Sequence, residues 1–222
     1  MRRHDLLRIE PDYWDAMLCC HPALADEPSV ADWARLERPV IVRRRINGER
    51  ATAGVLAGLP LPPCEGKRRL AFRFTSRAAV TAVPPLLLRN ALSTVPAGWR
   101  SLAGAVLELG DAVGVQPRVF GALLWQHVTG LPYLSPHSDL DLLWSIGDEP
   151  TAALLVDGLA RLDARGPVRL DGELELPDGA GLNWREFAQH ASDPRVGVLV
   201  KTLAGVEVRS KALLFHSPGM HG

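Results

Sequence analysis

The stretch "YLSPHSDLDLLW", Tyr133 to Trp144, sets two aspartates one residue apart within an otherwise apolar run. Read as a strand, Asp139, Asp141 and Leu143 alternate with Leu140, Leu142 and Trp144, so both carboxylates leave the same face. Two carboxylates at i and i+2 repel each other when both are ionised and unpartnered. A divalent cation removes that repulsion. Mg2+ takes hard oxygen ligands, commonly one or two carboxylates completed by substrate phosphates and water. A site of that kind serves phosphoryl or nucleotidyl transfer. A D-x-D pair also fits the solvated face of an edge strand, so the flanking sequence has to decide.

Upstream, "QPRVFGALLWQHVTG" offers a strand start at Val119, a glycine at Gly121 and a short helix closed by Gly130. A further helix is expected over Trp99–Val113. Downstream, Leu155, Leu159 and Leu162 fall at i, i+4 and i+7, with Pro150 in the first turn and Gly166-Pro167 as the stop, so a helix is expected from about Pro150 to Arg165. "VRLDGELELPDG" then reads as a second strand with Asp171, Glu173 and Glu175 on one face and Leu170, Leu174 and Leu176 on the other. Asp171 and Glu173 are therefore the candidates for a third carboxylate, acting as ligand or as general base. Asn183 is placed to cap a short helix through Phe187, and "VGVLVKTLAGVEV" reads as a hairpin turning at Ala204-Gly205.

The first half of the chain is less regular. A short helix is expected over Tyr13–Cys19, a strand at Val40-Ile41-Val42, and a half-buried strand where Leu70, Phe72 and Phe74 alternate with Ala71 and Arg73. Prolines at 84–85 and the Pro96-Ala97-Gly98 turn mark the join, giving a first domain over residues 1–80 and a second over 81–222. The fold class expected is mixed α/β, of the α+β kind.

At 222 residues, 47% hydrophobic and 23% charged, the chain has an ordinary globular composition. Its zero net charge conceals an asymmetry: residues 1–100 carry 16 Lys and Arg against 10 Asp and Glu, and residues 101–222 carry 9 against 15. A basic half beside an acidic half suits a polyanionic small molecule meeting a cation site, and two solvated faces give the same totals. The amino terminus lacks an export-type apolar segment. The longest run free of charged residues, Val119 to Ser138, contains prolines, Gln126 and His127, which makes it a poor membrane span. Cys19, Cys20 and Cys64 form no CxxC pair and no even framework, which fits a reducing cytoplasm, and they read as buried thiols. His127, His137 and His190 lack zinc-ligand spacing. The neutral total and few aromatics disfavour nucleic acid.

With these residues in place, "VFGALLWQHVTGLPYLSPHSDLDLL" resembles the signature of the DNA polymerase β-type nucleotidyltransferases, a glycine-led helix followed by D-x-D. More narrowly, "RHDLLRI", "ERPVIVRRR", "GLPLPP" with "GKRRLAF", "SDLDLLW", "DGELELPDG", "NWREF" and "VLVKT", in this order, resemble the phosphoribosyl-dephospho-CoA transferases of malonate decarboxylase, also called malonate decarboxylase holo-acyl-carrier-protein synthases. The resemblance implies a small basic N-terminal domain followed by a polymerase β-like catalytic domain with a mixed sheet. It implies transfer of a phosphoribosyl-dephospho-CoA group from triphosphoribosyl-dephospho-CoA to a serine of the apo acyl carrier protein subunit, with loss of pyrophosphate. It also implies Mg2+ held by Asp139 and Asp141. One position departs from the superfamily: its Gly-Ser is here Gly121-Ala122, which removes a hydroxyl but leaves the N–H groups of a helix start free to bind an anion. Either lowered phosphate affinity or compensation by another donor, Ser135 or Ser138, is expected, rather than loss of the site.

A donor carrying a triphosphate and a diphosphate calls for cations. The candidates are Lys67, Arg68 and Arg69, together with Arg118 and Lys201. Lys201 is the most telling, because it ends a strand of Val198, Leu199 and Val200 and needs a partner or a route to solvent. Two other readings use the same residues: nucleotidyl transfer to a small-molecule acceptor, and a non-catalytic partner that binds a CoA-like ligand.

Overall fold

The polypeptide builds two antiparallel-rich sheets, each with its own apolar cluster. The computed structural model describes residues 1–21, 24, 27, 29–46, 49, 54–66, 68–76, 79–189 and 196–215. The first sheet comprises β1 (Leu6–Ile9), β2 (Val40–Val42), β3 (Val55–Pro60), β4 (Arg69–Phe74) and β5 (Val80–Val83), in the order β4-β3-β2-β1-β5 and antiparallel throughout. Helix α1 (Pro11–Cys19) follows β1, with Pro11 in its first turn, where a missing N–H costs nothing. It buries Trp14 and Leu18. Trp14, Trp33, Phe72, Phe74 and Leu59 form the centre of the cluster, and the indole N–H groups of Trp14 and Trp33 donate to the carbonyls of Val30 and Pro39.

The second sheet has the order β11-β10-β9-β8-β7-β6, comprising β6 (Arg118–Val119), β7 (Leu140–Ser145), β8 (Leu170–Glu175), β9 (Gly181–Asn183), β10 (Gly197–Lys201) and β11 (Val206–Ser210). Only β7 and β8 are parallel. Parallel neighbours need a crossover, and α4 (Glu149–Asp163) supplies it, capped by Asp148, whose carboxylate accepts the Thr151 N–H. Helix α2 (Arg100–Val113) packs beside α4, and Leu102, Val106, Leu155 and Leu159 meet Leu142, Trp144, Leu174 and Val200 in one cluster. Helix α3 (Gly121–Thr129) joins the two halves: Leu123 and Leu124 enter the second cluster, whereas Trp125 belongs to the first. Helix α5 (Trp184–Gln189) closes the sheet, with Asn183 accepting the Arg185 N–H as the sequence suggests.

The resulting class is α+β, as expected. The helices over Tyr13–Cys19, Trp99–Val113 and Pro150–Arg165 appear within a few residues of those limits, and the hairpin turns between Lys201 and Val206. The cysteines differ from expectation. Cys19, Cys20 and Cys64 are all exposed, because the first two end α1 and the third lies in the short turn Pro63–Glu65 rather than on a core-facing strand. The first sheet continues to Val83, because β5 pairs with β1 along its whole length.

One face of the second sheet carries the acids. Parallel register sets Asp141 beside Asp171 and Leu143 beside Glu173, while Leu140, Leu142 and Trp144 point into the core. Gly172 lets these strands approach. At its φ of +150°, a Cβ would lie 2.0 Å from the Leu142 carbonyl oxygen. Gly172→Ala is therefore expected to lower unfolding free energy in urea by about 2–4 kcal/mol and to reduce the yield of folded protein.

Candidate active site

Asp141 occupies the start of helix α3. The Gly121 backbone is left-handed (φ +63°), and a Cβ there would sit 1.8 Å from Asp141 Oδ2, so only glycine admits the carboxylate. The Ala122 N–H faces that carboxylate and lowers its pKa, and the Phe120 N–H donates to the Asp141 carbonyl at 3.2 Å. The carboxylate thus meets the positive end of the helix, where an anion is favoured. This support falls short of balance. Burial, then the charges of Asp171 and Asp139, push the Asp141 pKa up to about 7 against the opposing Ala122 hydrogen bond and Arg169.

Asp171 lies directly across the parallel pair. Its Oδ1 accepts from the Gly172 N–H at 2.8 Å and from Asn183 Nδ2 at 3.2 Å. Among the described residues its Oδ2 faces only the Arg169 guanidinium, at 3.9 Å. Arg169 also reaches Asp139, at 3.4 Å. This arginine is more than half exposed and borders an open groove of about 490 Å3 lined also by Asp163, Pro167 and Arg185. Among the described residues, Arg169 is thus the long, solvent-facing cation that pairs with Asp139 and Asp171 and acts at longer range on Asp141.

Glu173, the other candidate for third carboxylate, is placed differently. Its oxygens receive Arg3 Nη1 at 2.9 Å, Arg3 Nη2 at 3.2 Å and Lys201 Nζ at 2.7 Å, and His4 Nε2 lies 3.0 Å away. Burial alone would raise its pKa, but the His4 hydrogen bond and the Arg3 charge outweigh it and hold the carboxyl well below the usual range. Arg2 and the Ser145 hydroxyl bind Glu175 in the same manner. Glu173 is thus saturated, one residue pair along the sheet from the under-compensated aspartates.

The other expected binding residues are dispersed. Lys201, expected on phosphate, is engaged by Glu173. Arg118 donates to the Pro85 carbonyl at 2.7 Å. Arg68 makes a forked pair with Glu27 at 2.5 and 2.6 Å, and Lys67 lies outside the described residues, as does His190. Arg69 is exposed and pairs in register with Pro60, whose carbonyl accepts the Tyr133 hydroxyl at 2.7 Å. That contact brings the Arg69 strand end beside the loop that leads to Asp139. Ser138 and Ser135 bond each other, the Ser135 N–H donating to Ser138 Oγ at 2.9 Å. Ala122, half-buried, packs against the N-terminal apolar cluster.

The family profile described as phosphoribosyl-dephospho-CoA transferase MdcG C-terminal domain matches residues 87–212, and the N-terminal domain profile of the same family matches residues 2–85. The chain belongs to the phosphoribosyl-dephospho-CoA transferase family. It is 37% identical over 204 residues to the phosphoribosyl-dephospho-CoA transferase of Bradyrhizobium diazoefficiens, covering 92% of this chain and 88% of that protein. It is 38% identical over 189 residues to that of Xanthomonas campestris pv. campestris (85% and 86% covered), and 34% identical over 214 residues to that of Xanthomonas axonopodis pv. citri (96% of each). No solved structure matches. Among the described residues no helix is long and apolar enough to cross a membrane.

Three participants escaped the sequence reading: Arg169, Asn183 as a partner of Asp171, and the Arg3-His4 pair. Arg169 was detectable, since it continues the same-face series Asp171, Glu173, Glu175 by two residues. Nothing local marks Arg3 and His4, whose partners lie about 170 residues away.

The raised Asp141 pKa has a measurable consequence. In the unfolded chain an aspartate ionises near pH 4, so below about pH 4 both states hold the proton and the site costs nothing. Between about pH 4 and 7 the unfolded chain gives up its proton while the folded site retains it, so stability falls as pH rises through this window, and the full penalty stands above about pH 7. In chelator-treated protein, Asp141→Asn is expected to stabilise the fold by about 2–4 kcal/mol at pH 8 and by almost nothing at pH 4, read from thermal unfolding across pH.

Proposed function

We propose that this protein transfers the phosphoribosyl-dephospho-CoA group from triphosphoribosyl-dephospho-CoA to a serine hydroxyl of the apo acyl carrier protein subunit of malonate decarboxylase, as a nucleotidyltransferase dependent on Mg2+. The observation that supports this most is the placement of Asp141 against the glycine-led start of α3, with Asp171 beside it in register and Asp139 two residues before it on the same strand face, in a chain of this family.

The residues suit a divalent cation. Asp141 is buried yet poorly compensated, and Arg169, the cation that opposes its raised pKa, is exposed and also pairs with Asp139 and Asp171. Among the described residues no group of three or more His, Cys, Asp or Glu converges closely enough to cage a metal unaided. Asp139 and Asp141 would therefore hold Mg2+ with donor phosphates and water completing the shell, which is its common habit. When bound, the ion supplies charge stabilisation for the phosphates and the departing pyrophosphate.

The chain's own residues supply the remainder. The carrier serine oxygen attacks the α-phosphorus of the triphosphate, the bond from that phosphorus to the bridging oxygen of the β-phosphate breaks, and pyrophosphate leaves. Asp171 Oδ2, whose nearest donor among the described residues is Arg169 at 3.9 Å, is placed to take the serine proton. Glu173 is not so placed. Arg169 can turn from Asp139 and Asp171 toward the phosphate chain once those acids are otherwise neutralised. The exposed Arg69 beside the Tyr133 loop adds positive charge on the N-terminal side.

Intact-mass measurement of the apo carrier after incubation with protein, Mg2+ and donor tests this. The carrier mass is expected to rise by that of the donor less pyrophosphate, with Asp139→Ala and Asp141→Ala each at least about 10³-fold slower while remaining folded. An unchanged carrier mass with donor demonstrably bound would instead support the non-catalytic, ligand-binding reading.

A further inference from the structure

His4 is the second central residue of the turn from Arg2 to Asp5, in which the Asp5 N–H donates to the Arg2 carbonyl at 3.3 Å and the Asp5 carboxylate accepts the Arg2 N–H at 2.6 Å. Its φ of +66° is left-handed, a region that costs a residue with a Cβ about 1 kcal/mol or more unless its surroundings enforce it. The enforcement is visible. Arg3 and His4 both grip Glu173, Lys201 closes the other side, and Arg3 Nη1 also donates to the Lys201 carbonyl at 3.2 Å. An ionised carboxylate only accepts, so His4 Nε2 carries the proton in this contact. Gly181 completes the fit, since a Cβ there would lie 2.4 Å from both Arg3 Nη1 and Glu173 Oε2.

The other side of the imidazole is also occupied. Its ring lies against Phe120, centroids 4.5 Å apart and planes inclined by 36°. Phe120 is the residue before Gly121, and its N–H holds the Asp141 carbonyl. A continuous set of contacts therefore runs from the first residues of the chain, through His4 and Phe120, to the turn that carries Asp141. Two residues later, Leu6 enters the second apolar cluster and Leu7 the first, so this segment is also where the two halves meet.

We propose that His4 is a positioning residue for the transfer reaction: anchored by Arg3, Glu173 and Lys201, its ring braces Phe120 so that the Gly121-Ala122 turn keeps its N–H groups on Asp141. The proposal rests on the transferase reading for its kinetic consequence, and its structural consequence stands apart from that reading. His4 touches neither of the D-x-D carboxylates in the contacts above; it acts through Phe120.

The test uses His4→Asn, because asparagine tolerates left-handed backbone and can still donate to Glu173 while lacking the ring. His4→Gly, which frees the backbone and removes the side chain, serves as the second variant. With the circular dichroism and thermal midpoint near those of the parent, His4→Asn is expected to speed hydrogen exchange selectively at the Phe120 and Ala122 amides. It is also expected to lower kcat by about 10- to 100-fold with donor KM changed less than about 3-fold, the pattern of a reacting group slightly misplaced. Phe120→Leu is expected to reproduce the loss, and the double variant to be no worse than either single one, because both remove the same brace. Unchanged exchange at those two amides, or losses that multiply in the double variant, would overturn the proposal. Should the parent protein fail to modify the carrier, the transferase reading fails, and the exchange measurement alone still decides whether His4 braces the turn.

Discussion

The second sheet places Asp141, Asp171, Glu173 and Glu175 on one face of two adjacent parallel strands, with Asp139 just before the first. Carboxylates so close cannot all remain ionised without compensation. The rest of the structure can be read as the way this charge is distributed. Glu173 and Glu175 are compensated by Arg2, Arg3 and Lys201, with His4 against Glu173; Asp141 faces the helix N–H groups, yet its pKa is still pushed up to about 7. Asp139 and Asp171 share one exposed arginine. Compensation therefore weakens steadily along the face, and its weakest point coincides with the glycine turn. A cation and an anionic substrate are the natural complement of that gradient, because either one alone would leave charge unbalanced.

This distribution also explains why the N-terminal sheet is not a detachable appendage. Its first residues neutralise the buried end of the acid face, and the Arg45 N–H donates to the Leu203 carbonyl in the β10–β11 turn at 2.9 Å. Breaking such a joint by removing only the cations would strand Glu173 in a buried site, which is far more costly than the net worth of the ion pairs themselves. The two halves are thus coupled by electrostatics as well as by Trp125 and Tyr133 packing into the first cluster.

Much of the second half was legible from sequence because its signals are local. The i, i+4, i+7 leucines define α4, glycines at 121 and 130 bracket α3, and period-two alternation fixes which face Asp139, Asp141, Asp171 and Glu173 share. The first half was less legible. The strand Leu6–Ile9 is four residues long and flanked by charge, and Val80–Val83 is equally short, so pairing with neighbours, not propensity, makes them strands. The D-x-D pair stands out by its spacing, and the flanking glycine-led helix and second acidic strand gave that spacing its reading. The ranking of Asp171 above Glu173 was not legible, because it depends on Arg3 and His4, which approach only once both sheets are formed.

The same reasoning accounts for the alanine that follows Gly121. A turn that delivers N–H groups to a carboxylate works through its backbone, and the side chain at 122 faces the N-terminal apolar cluster. The methyl of Ala122 adds to that apolar contact, which a hydroxyl would not. Gly121 has no such latitude, since any Cβ would overlap Asp141. Of the two residues, the glycine is therefore the one on which the carboxylate geometry depends, and the identity of its neighbour is set by how the first domain packs against α3.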